Sequence, residues 1–357
     1  MRILIYRAFL TIFIVIVLLR PAPGSAQVQA TPPSRELQTQ TVEQPDLAHA
    51  SDLIDKGQYG EAISELKALA ENPSNRGVAR QLGTAYYKVG NYQNAVSELS
   101  QAVMENAEDK EANQLLGLTY YFLGRPKDAI PLLEKVQSWY PRTNVDASYV
   151  LGVCYIQVMA YDSARRAFAT MYGVAPDSAA SHLFLSRMLL RQGFDPISEQ
   201  EARKALTVDP KLPMAHFLLG ELYIFKSRIP ESIAEFESEL AINPGYAATY
   251  YRLADAYTRV GRYEEAERLL QRSVWLDSTA SGPYILMAKV LLHKGEPDLA
   301  KRSLDRALTM DPSNYVSHHL MGQVYQAQGK TNDAATEFKV SQQLQAKQTH
   351  AEAEQKN

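Results

Sequence analysis

A small residue recurs about every 34 residues along most of this chain, and this period limits the fold more than any other feature. We call the recurring positions pivots: Ala50, Gly83, Gly117, Gly152, Ser186, Gly220, Ala254, Ala288 and Gly322. A Leu or Tyr stands three residues after each pivot, and an Ala or Ser stands twelve residues after it. A fixed period of this length predicts a solenoid in which each unit buries its apolar face against its neighbours.

Each repeat predicts two helices joined by a tight turn. In the repeat around Ala254, Leu253 and Tyr257 follow the spacing of a helix face, and Gly261 suits a left-handed helix end. Leu270 then falls on the buried face of a second helix. The pivot is small because the two helices approach closely there, and a larger side chain would overpack the contact by about 1–3 kcal/mol.

The order of residues within a repeat resembles the tetratricopeptide repeat family. The repeat around Gly220 shows it well, with Tyr223 three residues on, Phe236 sixteen residues on and Pro244 twenty-four residues on. Nine consecutive units between residues 46 and 344 fit this order, although one has Ser186 and Ala202 at the pivot and sixteenth positions. The resemblance implies an all-α, right-handed superhelical solenoid of antiparallel helix pairs, with the first helix of each pair lining the inner surface.

The extreme amino terminus has the order of a secretory signal peptide. Arg2 and Arg7 precede an apolar run at residues 8–19, and small residues follow at 24–26. We predict a signal peptide over residues 1–26, with an uncleaved membrane anchor as the alternative, and a disordered linker over residues 27–45. Residues 345–357 are polar and are predicted to extend the last helix or to fray. The protein is therefore expected to be exported, periplasmic or secreted, with no integral membrane span after cleavage.

The charge balance argues against nucleic-acid partners. The 357 residues carry a net charge of −3, and no block of Lys or Arg is present. Binding to a nucleic-acid backbone or to an anionic membrane surface needs such cations. A protein or peptide partner is the expectation.

No catalytic or cofactor motif stands out in the sequence. Phosphate-binding loops, dinucleotide-binding loops, metalloprotease motifs and serine-hydrolase motifs are absent. Cys154 is the only cysteine and is interpreted as a small buried residue. His182, His216 and His318 each lie four residues before a pivot, where neighbouring repeats have Tyr, and are interpreted as packing residues. We therefore predict a protein that is not an enzyme and needs no metal or cofactor.

One stripe of the first helices is unusually apolar for a surface. It consists of the residues three before, one after and five after each pivot, and it mixes aromatic residues with Arg and Lys. We predict a peptide-binding groove there, because aromatic and Arg residues are enriched at interaction hot spots. Its residues, with one neighbour of the stripe, are Tyr87, Phe122, Tyr149, Arg187, Arg191, Phe217, Phe225, Tyr251, Arg259 and Lys289. The alternative is that the aromatic side chains pack between neighbouring first helices.

The family's known clamp for a C-terminal carboxylate is not found. It needs a set of Lys, Asn and Arg side chains, and Thr84 and Tyr87 stand where Asn would be wanted. The sequence therefore favours an exported, non-enzymatic adaptor that binds an extended peptide or a partner domain in its groove. The alternative is an accessory subunit of an envelope enzyme, or of a secretion or polysaccharide assembly complex, which would use the convex face or the ends.

Overall fold

The structure is a computed structural model that describes residues 46–354 apart from 73, 74 and 194. The predicted signal peptide and linker lie outside the described residues. The chain divides into two compact units at Gly173, which we call the N-terminal unit and the C-terminal unit. Within the described residues there are eighteen helices and no strand.

The N-terminal unit holds four helix pairs. Their bounds are α1 Leu47–Asp55, α2 Tyr59–Ala70, α3 Val78–Lys88, α4 Tyr92–Glu105, α5 Lys110–Phe122, α6 Pro126–Trp139, α7 Val145–Gln157 and α8 Tyr161–Tyr172. Odd-numbered helices are the first helices of the pairs, and each carries its pivot near its middle.

The C-terminal unit holds five pairs built in the same way. Their bounds are α9 Ala179–Arg191, α10 Asp195–Val208, α11 Ala215–Phe225, α12 Ile229–Ile242, α13 Ala247–Arg259, α14 Tyr263–Leu276, α15 Ser281–His293, α16 Pro297–Met310, α17 Tyr315–Ala327 and α18 Thr331–Glu354. The predicted all-α class and its array of helix pairs are confirmed. No helix within the described residues is long and apolar enough to cross a membrane.

Short polar side chains start several first helices. Asp109 accepts a hydrogen bond from the backbone N–H of Ala112 at 3.0 Å, and Asn314 accepts one from Ser317 at 3.0 Å. Such caps satisfy backbone donors that have no partner inside the helix. The helix starts are therefore encoded locally, repeat by repeat.

A left-handed residue follows each of the nine first helices, seven positions after the pivot. Glycine fills this position in seven of the repeats, as at Gly261 with φ of +78°. Met159 and Ser227 fill it in the other two, with φ of +60° and +58°. A residue with a side chain is strained in this conformation. These two turns therefore keep the repeat geometry although it strains the backbone at Met159 and Ser227.

The pivots lie directly against the residue sixteen positions later on the second helix. A Cβ built on Gly220 would lie 2.5 Å from Phe236 Cε1, and one on Gly322 would lie 2.6 Å from Phe338 Cε1. Where the pivot is Ala, as at Ala254, the later residue is the smaller Leu270. Gly83 and Gly117 also face leucines, since a Cβ built on them would lie 2.6 Å from Leu99 and 2.8 Å from Leu133. A Gly pivot thus faces either Leu or Phe, and these short distances confirm the close approach predicted from the sequence.

The repeat that departs most from the pattern replaces this contact with hydrogen bonds. Ser186 Oγ donates to the Ser198 carbonyl at 2.7 Å, and Ser198 Oγ donates to the Ser186 carbonyl at 2.9 Å. Both serines are buried, so the reciprocal bonds satisfy their hydroxyl groups. Ala202 is small enough to leave room for this pair.

Candidate functional site: the first-helix surface

The first-helix surface is the set of stripe positions defined above, taken within each unit. Residues four apart on a helix differ by about 40° in direction, so a stripe of three such residues turns by about 80°. The structure shows the consequence. Residues three before the pivot, such as Phe217 and Tyr251, are half-buried, whereas those five after it, such as Phe225 and Arg259, are exposed.

In the C-terminal unit, the predicted aromatic residues differ in their surroundings. Phe217 packs between Phe236 and Tyr246, with ring centroids 5.7 and 5.3 Å apart. Phe225 is 49% exposed at the end of α11. The two phenylalanines of α11 therefore differ, because Phe217 is partly a packing residue and Phe225 leaves about half of its surface exposed.

Tyr251 lies between these two extremes. The guanidinium of Arg252 lies 5.4 Å from the centroid of the Tyr251 ring. The pKa of the Tyr251 hydroxyl is raised, mainly by burial. Gly282 on α15 has the Tyr251 hydroxyl close by, since a Cβ there would lie 3.3 Å from that oxygen. The ring of Tyr251 thus connects α13 with α15 on the first-helix surface.

Two carboxylates on this surface are neutralised by arginines. Glu221 on α11 pairs with Arg252 on α13 at 2.6 Å, and Asp255 pairs with Arg259 one turn later at 3.0 Å. The pKa of Glu221 is raised because burial disfavours its charge; Arg252 opposes the shift and Asp255 adds to it. The sequence had identified Arg259 but not its pairing, and it had missed Arg252.

The other predicted cations on this surface have no carboxylate partner among the residues that the structure describes. Arg187 and Arg191 on α9 and Lys289 on α15 are exposed, and none has an ion-pair partner within the described residues. Lys289 also lines a cavity of about 380 Å³ between α15 and α17, together with Leu292, His293, Leu320 and Gln323. The cavity gives this end of the surface a recess beside a free ammonium group.

In the N-terminal unit, aromatic rings gather on the first-helix surface. Phe122 is 51% exposed and stacks on Tyr92 at a centroid distance of 5.0 Å. Tyr87 and Tyr121 approach the same ring at 6.1 and 5.5 Å. The pKa of Tyr87 is raised, chiefly by burial. Tyr92 and Tyr121 lie outside the stripe, so the sequence pattern missed them.

Tyr149 stands apart from that cluster. It is half-buried on α7, and its ring lies 6.3 Å from Phe168 of the second helix. Leu118 and Val153, one residue after their pivots, are buried. The first-helix surface of this unit is thus less charged and more packed than that of the C-terminal unit.

A second cavity lies in the N-terminal unit, beside α5 and the turn between α6 and α7. This cavity has a volume of about 500 Å³ and is lined by Lys110, Glu111, Gln114, Tyr140 and residues 143–146. Lys110 lies 4.9 Å from the Tyr140 ring centroid, and Asn144 donates to Gln114 at 2.7 Å. Its lining mixes both signs of charge, so it indicates no particular ligand.

The three histidines before pivots each bond a glutamate nineteen residues later. The distances from Nδ1 to the carboxylate are 2.7 Å for His182 and Glu201, 2.6 Å for His216 and Glu235, and 2.6 Å for His318 and Glu337. The sequence interpretation as aromatic packing residues overlooked these polar partners. The constant spacing of nineteen residues is the signal that could have revealed them.

The described residues contain no clustered metal ligands, and their one cysteine is buried. Among them, no group of three or more His, Cys, Asp or Glu side chains is placed to hold a metal ion. Cys154 is fully buried, and burial raises the pKa of its thiol to about 12.

Comparison with known families agrees with the repeat pattern. Sequence models described as "Tetratricopeptide repeat" match residues 53–118, 123–187 and 227–274 in one case and residues 282–314 in another. The first of these covers half of the chain, and the chain therefore belongs to the tetratricopeptide repeat family. Proteins of this family act in general as adaptors with extended binding surfaces, and this chain is accordingly a protein–protein interaction module.

No curated protein matches the chain in sequence. Among solved structures, PilF from Pseudomonas aeruginosa is similar, with 19% identity and a TM-score of 0.46 over 57% of this chain and 97% of that chain. YrrB, titled a TPR protein with an unusual peptide-binding site, has 19% identity and a TM-score of 0.43 over 51% and 93%. MamA from Desulfovibrio magneticus has 17% identity and a TM-score of 0.45 over 48% and 97%.

Proposed function

We propose that this protein is an exported adaptor that binds an extended segment of a partner protein along its first-helix surface. One observation carries the proposal: Phe122 and Phe225 keep about half of their surface exposed, five residues after their pivots. Exposed aromatic residues beside cations are typical of interaction sites. The amino-terminal order of charged, apolar and small residues supports export.

An extended segment suits the first-helix surface better than a compact ligand does. Successive first helices repeat the same three positions, so the surface presents side chains to a partner at regular steps. Repeat proteins use such surfaces to bind partners along their length. Aromatic side chains here would contact apolar residues of the partner, and the cations would fix its register.

A second-helix surface is the alternative, and one residue favours it. Trp275 on α14 is 71% exposed, and the guanidinium of Arg272 lies 4.1 Å from its ring centroid. Trp and Arg are enriched at hot spots. A partner bound there would fit the role of an accessory subunit in a larger envelope complex.

A peptide-display experiment separates the two surfaces. The purified full-length chain is used to select binders from a random twelve-residue peptide library, and affinities are then measured for Phe225→Ala, Phe122→Ala and Trp275→Ala variants. Truncating a hot-spot aromatic residue costs about 2 kcal/mol or more, which is roughly 30-fold in affinity. We expect such a loss for Phe225→Ala or Phe122→Ala and none for Trp275→Ala.

A loss of affinity for Trp275→Ala, with none for Phe225→Ala or Phe122→Ala, would place the binding site on the second helices. Recovery of no binder at all from the library would contradict the binding of extended peptides.

A further inference from the structure

The first-helix surface of the C-terminal unit is positively charged, although the whole chain carries a net charge of −3. Its stripe positions hold four cations and two carboxylates. The cations are Arg187, Arg191, Arg259 and Lys289, the carboxylates are Glu221 and Asp255, and Arg252 lies beside the stripe on α13. The acidic residues of this unit lie mostly on other surfaces, as on α12 and α14.

The unpaired cations of this surface lie on α9 and α15, the first and fourth of its five first helices, rather than on α11 and α13 between them. We call α9 and α15 the two cationic sides. Glu221 and Asp255 occupy the centre and are paired with Arg252 and Arg259. Arg187 and Arg191 lie one turn apart on α9, and they have no ion-pair partner within the described residues. Lys289 on α15 is equally exposed and unpaired in the part of the chain that the structure describes.

The region between the two cationic sides is apolar or neutralised. Phe217 and Phe225 on α11, Tyr251 on α13 and Ile285 on α15 are half-buried or exposed there. A partner segment that crosses this region meets aromatic and aliphatic side chains in its middle and cations at both ends.

The distance between the two sides sets the length of such a segment. Packed helices lie about 8–10 Å apart, so three steps from α9 to α15 span roughly 24–30 Å. An extended chain advances by about 3.3 Å per residue, which makes this span about seven to nine residues long.

We propose that the partner segment is acidic at both ends and apolar over the seven to nine residues between them. Carboxylates at one end meet Arg187 and Arg191, and a carboxylate at the other end meets Lys289. This inference rests on the proposed binding of an extended segment, and it adds the chemistry of that segment. Complementary charge speeds association and disfavours basic segments.

The first test uses the sequences of the peptides selected from the random library. We expect Asp and Glu to be enriched at both ends of the binders and apolar residues to be enriched in the middle. Binders that are neutral or basic would overturn this inference and leave the proposed function intact. Recovery of no binder would instead contradict the proposed function itself.

A second measurement uses synthetic peptides of one composition. One peptide carries two Glu residues at each end of an apolar middle, and the other carries all four Glu residues in its centre. Their net charges are equal, so any difference reports the position of the carboxylates. We expect the peptide with charged ends to bind about tenfold more tightly, with a difference that shrinks as salt screens the contacts. Equal affinities would overturn the proposal.

A matched pair of variants assigns the effect to named side chains. The test variant is Arg187→Gln/Arg191→Gln/Lys289→Gln, and the control is Arg302→Gln/Arg306→Gln/Lys339→Gln. Arg302 and Arg306 are also exposed and one turn apart, but they lie on α16, a second helix. We expect the test variant to weaken binding of the peptide with charged ends about tenfold or more, and the control to change it less than twofold. Equal losses would show attraction by net charge alone and would overturn the proposal.

A second copy of the chain is the competing occupant of this surface, since α14 carries Glu264, Glu265 and Glu267. The mass of the full chain in solution, measured by analytical ultracentrifugation, distinguishes self-association from binding of a partner segment. We expect the same mass for the wild-type chain and the test variant. A dimer that dissociates in the test variant alone would assign the surface to self-association instead.

Discussion

His318 and Glu337 are joined by a 2.6 Å hydrogen bond between the two helices of the last repeat. The other ring nitrogen of His318, Nε2, lies 3.0 Å from the carbonyl oxygen of Pro312. Both partners are acceptors, and a neutral imidazole has only one N–H group to donate. The arrangement therefore satisfies the charged form of His318. Burial lowers its pKa, but the bonds to Glu337 and Pro312 outweigh burial and raise the pKa above its usual value.

This pair predicts a pH-dependent contribution to stability. A histidine whose pKa is raised on folding stabilises the fold fully below its unfolded pKa of about 6.5 and loses that contribution as pH rises through the folded pKa. We expect His318→Gln to lower the free energy of unfolding by about 1–3 kcal/mol near pH 5.5, and by less near pH 8.5. Urea unfolding of both proteins across this range measures the difference.

The partner variant provides the control. In a Glu337→Gln background the ring loses its anionic partner, so the difference caused by His318→Gln should vary less with pH. Lys301 is the other charged group in this environment, since Glu337 also contributes to raising the pKa of its ammonium. A difference that grows as pH rises above 7 would contradict the assignment of a charged His318.

The contact between Gly220 and Phe236 predicts a strong dependence on size. Even the methyl group of Gly220→Ala would lie about 2.5 Å from the Phe236 ring, so the ring must shift. We expect a loss of about 1–3 kcal/mol in the free energy of unfolding. Gly245→Ala is the control, because a Cβ there meets nothing within 4 Å.

A double variant tests whether the sizes of the pivot and of the sixteenth residue are coupled. Because Ala254 coexists with Leu270, Gly220→Ala should cost about 1 kcal/mol less in a Phe236→Leu background than in the wild type. Equal costs in the two backgrounds would show that the pivot and the sixteenth position are not coupled.

The fold was predictable from the sequence because the same pattern of residues recurs in nine repeats. Gly220 alone would indicate little, but the period of 34 residues makes the close approach at the pivots unmistakable. The candidate site was predictable only in part. Phe217 and Phe225 look equivalent in the sequence, yet the turning of the stripe around the helix buries part of one and exposes the other. The ion pair between Arg252 and Glu221 joins α13 to α11. A residue pattern within one repeat does not reveal a contact between two repeats.

Ser227 offers a test of local strain in the turn that ends α11. Its φ of +58° is unfavourable for a residue with a side chain. We expect Ser227→Gly to stabilise the protein by about 0.5–1 kcal/mol, and Gly261→Ala at the same position of the next repeat to destabilise it by about 1 kcal/mol. Thermal unfolding of both variants measures the two effects. Destabilisation by Ser227→Gly would mean that the serine side chain contributes more than its backbone strain costs.

Export predicts a defined amino terminus for the mature protein. If residues 1–26 form a cleaved signal peptide, sequencing of the protein recovered from its native cells should begin at or near Gln27. Disrupting the apolar run with Ile14→Lys should leave the full chain in the cytosol, whereas Thr39→Lys in the predicted linker should not. A full-length chain found attached to membranes would support the alternative of an uncleaved anchor.

The two phenylalanines of α11 predict opposite responses to truncation. Phe217 packs against Phe236 and Tyr246, so Phe217→Ala should lower the free energy of unfolding by about 2 kcal/mol or more. Phe225 is half-exposed, so Phe225→Ala should change it by about 0.5 kcal/mol or less. Among the folded molecules, Phe225→Ala should weaken binding of a selected peptide more than Phe217→Ala does, because a partner can cover the exposed ring of Phe225. Thermal unfolding and peptide titration on the same two variants check both expectations.

A large loss of stability for Phe225→Ala without a loss of binding would show that its ring supports the helix array, and it would remove Phe225 from the binding surface.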